Sequence, residues 1–255
     1  MNKTPLKNVL NPNKSLNVVL DLIPVGSVVD SFVLYGGEYE IPLSEYDRFV
    51  CAHTNKYAVF EFWHTLTRDP VRMHKVLTSD SFRFHPKMYP ILQEKWIEFK
   101  DPVIRSCLFF ILNQSSNTGH ITSGVLERAE LDPVALSDIK SFKTKDTFNV
   151  IFDTEVEISD SISEKLQGDY IFISVGGFGY NFFEQGKSQT YDTTSINHQK
   201  LKDALVKSGK KFVLVYHYDK RVPKFYKKFN HTLVDKYGRQ VQNPEQAKEV
   251  VIANF

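Results

Sequence analysis

Val28-Val29-Asp30-Ser31-Phe32-Val33-Leu34-Tyr35 runs directly into Gly36-Gly37. The run is apolar, rich in β-branched and aromatic side chains, and carries one acid. It predicts a buried strand that empties into a glycine turn. Downstream, Arg48 to His53 reads as a second short strand. Lys56 to Arg68 follows as a helix with Val59, Phe60, Trp63 and Leu66 along one stripe. Upstream, Leu16 to Ile23 reads as a short helix, with Ser15 placed to cap it and Pro24 to end it. Strands that each feed a turn and then a helix predict a doubly wound α/β sheet.

The pattern then turns helical. Pro70 to Leu77, Met88 to Phe99 and Pro102 to Asn113 read as helices. Asp69-Pro70, Asp101-Pro102 and Asp132-Pro133 each set a capping carboxylate before a proline at the first helical position. Asn113 to Thr122 is polar and reads as a loop. The β pattern returns at Val150 to Phe152 and strongly at Tyr170 to Val175, which stops at Gly176-Gly177. Ile196 to Val206 is an amphipathic helix with Thr194 or Ser195 as its cap. Phe212 to Tyr218 reads as a strand, Pro223 to Phe229 as a helix and Glu249 to Phe255 as a last strand.

Composition narrows the function classes. Of 255 residues, 42% are hydrophobic and 24% charged, an ordinary globular balance, and the net charge of +2 supplies no global pull toward nucleic acid. Contact with a polyanion therefore has to come from local patches. Cys51 and Cys107 have no CxxC spacing and read as buried, reduced thiols of a cytoplasmic protein. Met1 to Lys7 is followed by no apolar run, so no signal peptide is expected, and no stretch suits a membrane span. The eight histidines show no HExxH or other tight ligand spacing, so no metal centre is expected.

Several short segments carry a resemblance. They are Pro12-Asn13-Lys14-Ser15 before the first helix, Asp30-Ser31-Phe32 leading to Gly36-Gly37, and Ala52-His53-Thr54-Asn55 at the end of the second strand. Further on come Leu112-Asn113-Gln114-Ser115-Ser116-Asn117-Thr118-Gly119, Gly168-Asp169-Tyr170-Ile171-Phe172-Ile173-Ser174-Val175-Gly176-Gly177-Phe178, and Lys248-Glu249-Val250-Val251-Ile252-Ala253-Asn254-Phe255. In this order they resemble the Dam-type adenine-N6 methyltransferases, from about Asn13 to Phe255. The resemblance implies a class I (Rossmann-like) S-adenosylmethionine methyltransferase sheet over residues 1–68 and 148–255. It implies an inserted helical, DNA-recognition-like subdomain over residues 69–147. It assigns remnants of cofactor binding to Lys14, Asp30, Phe32, Gly36, Gly37, Asn55 and Glu157.

The same resemblance marks what has changed. The family's acidic ribose ligand is His53 here. Its Asp-Pro-Pro-Tyr step, which grips the target amine and stacks on the flipped base, is Ser174-Val175-Gly176-Gly177, with Phe178 one place beyond the tyrosine. A serine accepts only a neutral hydrogen bond, and two glycines release the rigid turn that two prolines impose. The expectation is a catalytically inactive protein that needs no cofactor, with S-adenosylmethionine as the ligand if any binding survives.

Such a chain would act by binding double-stranded DNA, or a protein partner such as an active methyltransferase subunit. Two alternatives stand beside this. One is a working adenine methyltransferase with Ser174 and Phe178, or Tyr180, as stand-ins. The other is a structural component of a viral particle. Candidate nucleic-acid contacts are Arg72, Lys75, Arg83, Lys87, Asn113 and Asn117 in the insertion, and Lys236 and Arg239 near the end. The last two belong to a stretch, Asp219 to Arg239, with seven Lys or Arg against two Asp.

Overall fold

The structure is a computed structural model that describes residues 4–9, 12–82, 85–122, 124–155, 157–178 and 196–255. The described residues form an eight-stranded sheet: β1 (Val28–Phe32), β2 (Phe49–Thr54), β3 (Phe148–Phe152), β4 (Tyr170–Gly176), β5 (Lys211–His217), β6 (Asn230–Asp235), β7 (Gln240–Val241) and β8 (Ala247–Ala253). Their order is β3-β2-β1-β4-β5-β8-β6-β7. The first five are mutually parallel, and β8 slots between β5 and β6 antiparallel to both. This order, with one reversed strand set into a doubly wound sheet, is the class I methyltransferase sheet.

A parallel sheet must bury both faces, and it does so with two clusters. One face carries Val29, Val50, Ala52, Phe172 and Val213. Against it pack α1 (Leu16–Leu22), α2 (Glu40–Glu45) and α3 (Tyr57–Arg68). The other face carries Phe32, Ile171, Ile173, Phe212 and Leu214 under α8 (Ile158–Lys165), α9 (His198–Ser208) and α10 (Arg221–Phe225). The helices between β2 and β3 also include α4 (Pro70–Leu77), α5 (Tyr89–Lys95), α6 (Pro102–Ser115) and α7 (Pro133–Ser141). They share the first cluster and have no separate core: Met73, Tyr89, Phe109 and Ile139 belong to it together with Val29 and Phe62. Among the described residues no helix is long and apolar enough to cross a membrane.

All three Asp-Pro starts form as read. The Asp69 carboxylate accepts the N–H of Arg72, that of Asp101 accepts Val103 and Ile104, and that of Asp132 accepts Val134. Elsewhere tertiary contacts redraw the boundaries. β1 stops at Phe32, short of Tyr35, because Val33 turns to a φ of 71° and Leu34 donates its N–H to the carbonyl of His53. A β-branched residue in the left-handed region is strained, and the cross-strand bond holds it there.

Ser15 does not cap α1, because its hydroxyl donates to Glu249 instead. Asn197 caps α9, so that helix begins at His198, and Thr194 and Ser195 lie outside the described residues. Asp219 accepts the Arg221 N–H, which starts α10 ahead of Pro223. The helix expected to Phe99 yields to a 3-10 turn at Trp96–Glu98, and α6 runs past Asn113 to Ser115. Cys107 is buried and its thiol is pushed up to about 12 by burial, whereas Cys51 is only half-buried, on the face of β2 beside Gln167.

Because α6 is anchored by a cap with two backbone donors, Asp101→Ala is expected to lower stability by about 1 kcal/mol, read as a shifted urea midpoint at unchanged slope. A midpoint equal to wild type would mean that the Asp101 cap contributes nothing.

Candidate functional site

The strand order reverses between β1 and β4, and the crevice outside their carboxyl ends is where a doubly wound sheet offers a site. Three groups of side chains meet there or just beneath.

The first group fills the turn after β1. Gly37, at φ 76°, lets the backbone lie against the Trp63 ring. At Gly36 a side chain would collide with the Glu38 carboxylate, which folds back over the turn. Thr4 closes the turn from outside by donating its hydroxyl to the Gly36 carbonyl. Burial, with the neighbouring Glu40 charge, pushes the Glu38 carboxyl up to about 8, and burial also raises Glu40, which accepts the Ser31 hydroxyl at 2.7 Å.

Thr4 belongs to an N-terminal strap fixed by Asn113. The Asn113 side chain accepts the Lys7 N–H and donates to the Lys7 carbonyl, both at 2.8 Å. Gly119, at φ 86°, sits so close to Lys7 that a side chain there would strike its carbonyl.

The second group lies under α8. The His53 ring is stacked on Phe32, centroids 4.5 Å apart. Its Nε2 lies 3.2 Å from the Asp30 carboxylate and its Nδ1 3.2 Å from that of Asp153. Asp30 also accepts the N–H groups of Gln167 and Gly168, at 2.9 and 2.7 Å. Lys165 bridges Asp153 and Glu155, at 3.4 and 2.5 Å. Burial lowers the His53 pKa, but the hydrogen bonds to Asp153 and Asp30 outweigh it and the net shift is upward. A neutral ring would aim one lone pair at a carboxylate, so the pocket favours the imidazolium.

The third group is the end of β4. The Ser174 hydroxyl is buried and has no hydrogen-bond partner among the described residues. Val175 points into the α8–α9 cluster, and the ladder with β5 slips between Ser174 and Gly176, where φ is 85°. Beyond Gly177, Phe178 packs on His198 and Phe225, and its carbonyl accepts a bond from Arg221. The ring offered by the sequence as a stacking surface is thus already packed against two rings of the protein. Tyr180 lies outside the described residues.

The remaining sequence candidates scatter. Asp30 and Phe32 are committed to the His53 group, and Asn55 is half-buried just past β2. Glu157 precedes α8 without a capping side-chain bond and pairs with Lys200 of α9 at 2.8 Å, while the acid just past β3 is Asp153. The backbone N–H of Lys14, with those of Asn13 and Ser15, is taken by the buried Glu249 carboxylate.

Among the candidate nucleic-acid contacts, Lys75 and Lys87 are exposed without an ion pair among the described residues, and Arg72 lies 3.4 Å from Asp101. Asn113 is corrected: it is fully buried, holding the strap, because α6 carries it two residues inside its own end. Asn117 is turned onto Val125, accepting its N–H at 3.0 Å. Lys236 and Arg239 stand at the β6–β7 turn, and Arg83 lies outside the described residues. No cluster of three or more metal-ligating side chains occurs among the described residues. The sequence reading missed Asp153, Glu38, Glu40 and Glu249; for Asp153 the signal was its place one step after an apolar run.

No protein-family model matches the chain, and no curated protein does. Among solved structures it is similar to the glycopeptide N-methyltransferase MtfA, with a TM-score of 0.40 and 8% identity over 97% of this chain and 92% of that one. It is similar to MtfA complexed with (S)-adenosyl-L-methionine at a TM-score of 0.33 and 10% identity, over 97% of this chain and 78% of that one. The fold assignment stands on the strand order and sense.

His53 gains a proton affinity on folding above its unfolded value of roughly 6.5. Its contribution is therefore complete below that value and is lost as the pH climbs through the folded one. Glu38, shifted up as well, pulls the same way. Stability is expected to fall in denaturant titrations as the pH rises from about 4.5, the ordinary value of Glu38, through about 8, with His53 adding to the loss above about 6.5. His53→Ala, which strands two buried carboxylates, is expected to cost roughly 3–5 kcal/mol at neutral pH. A variant as stable as wild type would mean that the ring carries no charge between its two acids.

Proposed function

We propose that this chain is a methyltransferase-fold protein that does not transfer methyl groups and acts by binding, with nucleic acid as its ligand. The observation that carries the reading is the filled turn after β1. The Glu38 carboxylate occupies the space over Gly36, and the Thr4 strap closes it. S-adenosylmethionine needs an open glycine turn there and a free carboxylate at the end of β2 for its ribose hydroxyls. The side chain at that second place is His53, with both ring nitrogens engaged. These residues do not fit the cofactor, and no step through it is derived. For nucleic acid the support is the cations Lys75 and Lys87 on the insertion, exposed and without an ion pair among the described residues, and the basic β6–β7 turn.

One observation favours a divergent enzyme as the second reading: the Ser174 hydroxyl, buried without a partner at the strand end where the family grips the amine. Calorimetric titration with S-adenosylmethionine, joined to a methyl-transfer assay on adenine-containing DNA, separates the two. The expected result is neither binding heat nor labelled DNA. Transfer that disappears in Ser174→Ala would establish the second reading and remove the first.

A further inference from the structure

The far edge of the sheet carries a feature that the crevice does not use. Two hollows of about 490 and 560 Å³ flank β7, both lined by Gln240 and Val241. Each is within the range of about 300–1,000 Å³ that small ligands fill. Lys220, just before α10, and Lys224 within it line the first, and Lys248, Lys236 and Arg239 line the second. None of the four lysines has an ion pair among the described residues. Of the two acids in the second hollow, Asp235 is spent on Arg239, whose Nε and Nη2 reach it at 3.0 and 2.9 Å. The other is Glu245, so the four lysines still leave a local excess of cation in a chain whose net charge is only +2.

At the end of this track stands Tyr237, 69% exposed at the hairpin tip. The Lys236 ammonium and the Arg239 guanidinium both lie over its ring, 4.9 Å from the centroid. The tip itself is fixed: Asp235 accepts the N–H groups of Tyr237 and Arg239, and Gly238, at φ 83°, packs close to the carbonyl of Lys14. An exposed ring on a held turn, beside spaced lysines, is the pairing of stacking platform and phosphate track that binds nucleic acid strands without sequence preference.

We propose that the β7 edge binds single-stranded nucleic acid, with phosphates on Lys220, Lys224 and Lys248 and a base on Tyr237. A base that takes the ring face moves the Lys236 ammonium to a phosphate oxygen, so the cation exchanges one partner for another. A duplex keeps its bases stacked inside and offers this ring nothing, which sets the preference for a single strand. The proposal deepens the reading of the chain as a binding protein and rests on it.

The test is fluorescence anisotropy of the full chain with a labelled oligothymidylate and with a duplex of equal length, at about 50 and 200 mM salt. Four phosphate contacts predict a loss of about fiftyfold in single-strand affinity across that salt range. The single strand should bind more tightly than the duplex. Tyr237→Ala should weaken single-strand binding on the order of tenfold. The charge reversals Lys220→Glu and Lys224→Glu together should weaken it further, with the circular dichroism spectrum unchanged.

Equal or tighter duplex binding, or no effect of these variants, overturns the proposal. If Lys75→Glu with Lys87→Glu abolishes binding while the β7-edge variants do not, this surface is wrong and the binding reading stands. If no nucleic acid binds at low salt, both fail. Methyl transfer with intact single-strand binding overturns only the claim of lost catalysis.

Discussion

A positive ring sealed inside a sheet has to be neutralised on both sides, and that requirement organises the carboxyl end of this fold. His53 on β2 draws Asp30 of β1 and Asp153 beyond β3 to its two nitrogens. Asp30 in turn ties the approach to β4 through Gln167 and Gly168, and Asp153 ties the end of α8 through Lys165. Three neighbouring strands and the helix above them are thereby tied to one group. Buried ion pairs of this kind add little net stability over an apolar core, but losing one member is costly. Their effect is to specify register: a slip of β2 by one residue would turn His53 to the other face and leave both acids alone.

The same set of contacts decides what the end of β2 can hold. A ribose-binding acid at the end of β2 is incompatible with a cation-centred lock there, since a carboxylate beside Asp30 and Asp153 would add a third negative charge to a buried space. Once a histidine stands in that place, the neighbouring acids become its partners. The turn after β1 follows a parallel course. Its glycines still permit the tight approach to Trp63, but the room above Gly36 holds the Glu38 side chain, and the Thr4 strap lies across it.

What the sequence disclosed depended on how local the cause was. The Asp-Pro helix starts were legible because a cap needs only a few consecutive residues, and β1 and β4 because a strand buried on both faces is apolar along most of its length. The end of β1 was not legible, since it is set by a bond from Leu34 to His53. α2 lacks a capping side chain and carries a proline, and β6 is polar at its outer end, so neither announced itself. Within the site, counting along the resemblance without gaps landed on Glu157, past the acid that follows the strand. Glu249 is recognisable as the cap of the α1 entrance only once β8 is laid beside β5, a contact between opposite ends of the chain.

α6 is apolar around most of its circumference and lies inside the cluster that also covers the sheet. A helix of that kind cannot part from its neighbours without wetting Phe109, Phe110 and Leu112 together. The inserted helices and the strands share one buried cluster, so a load applied at α4 or α5 reaches β1 and β2 through it.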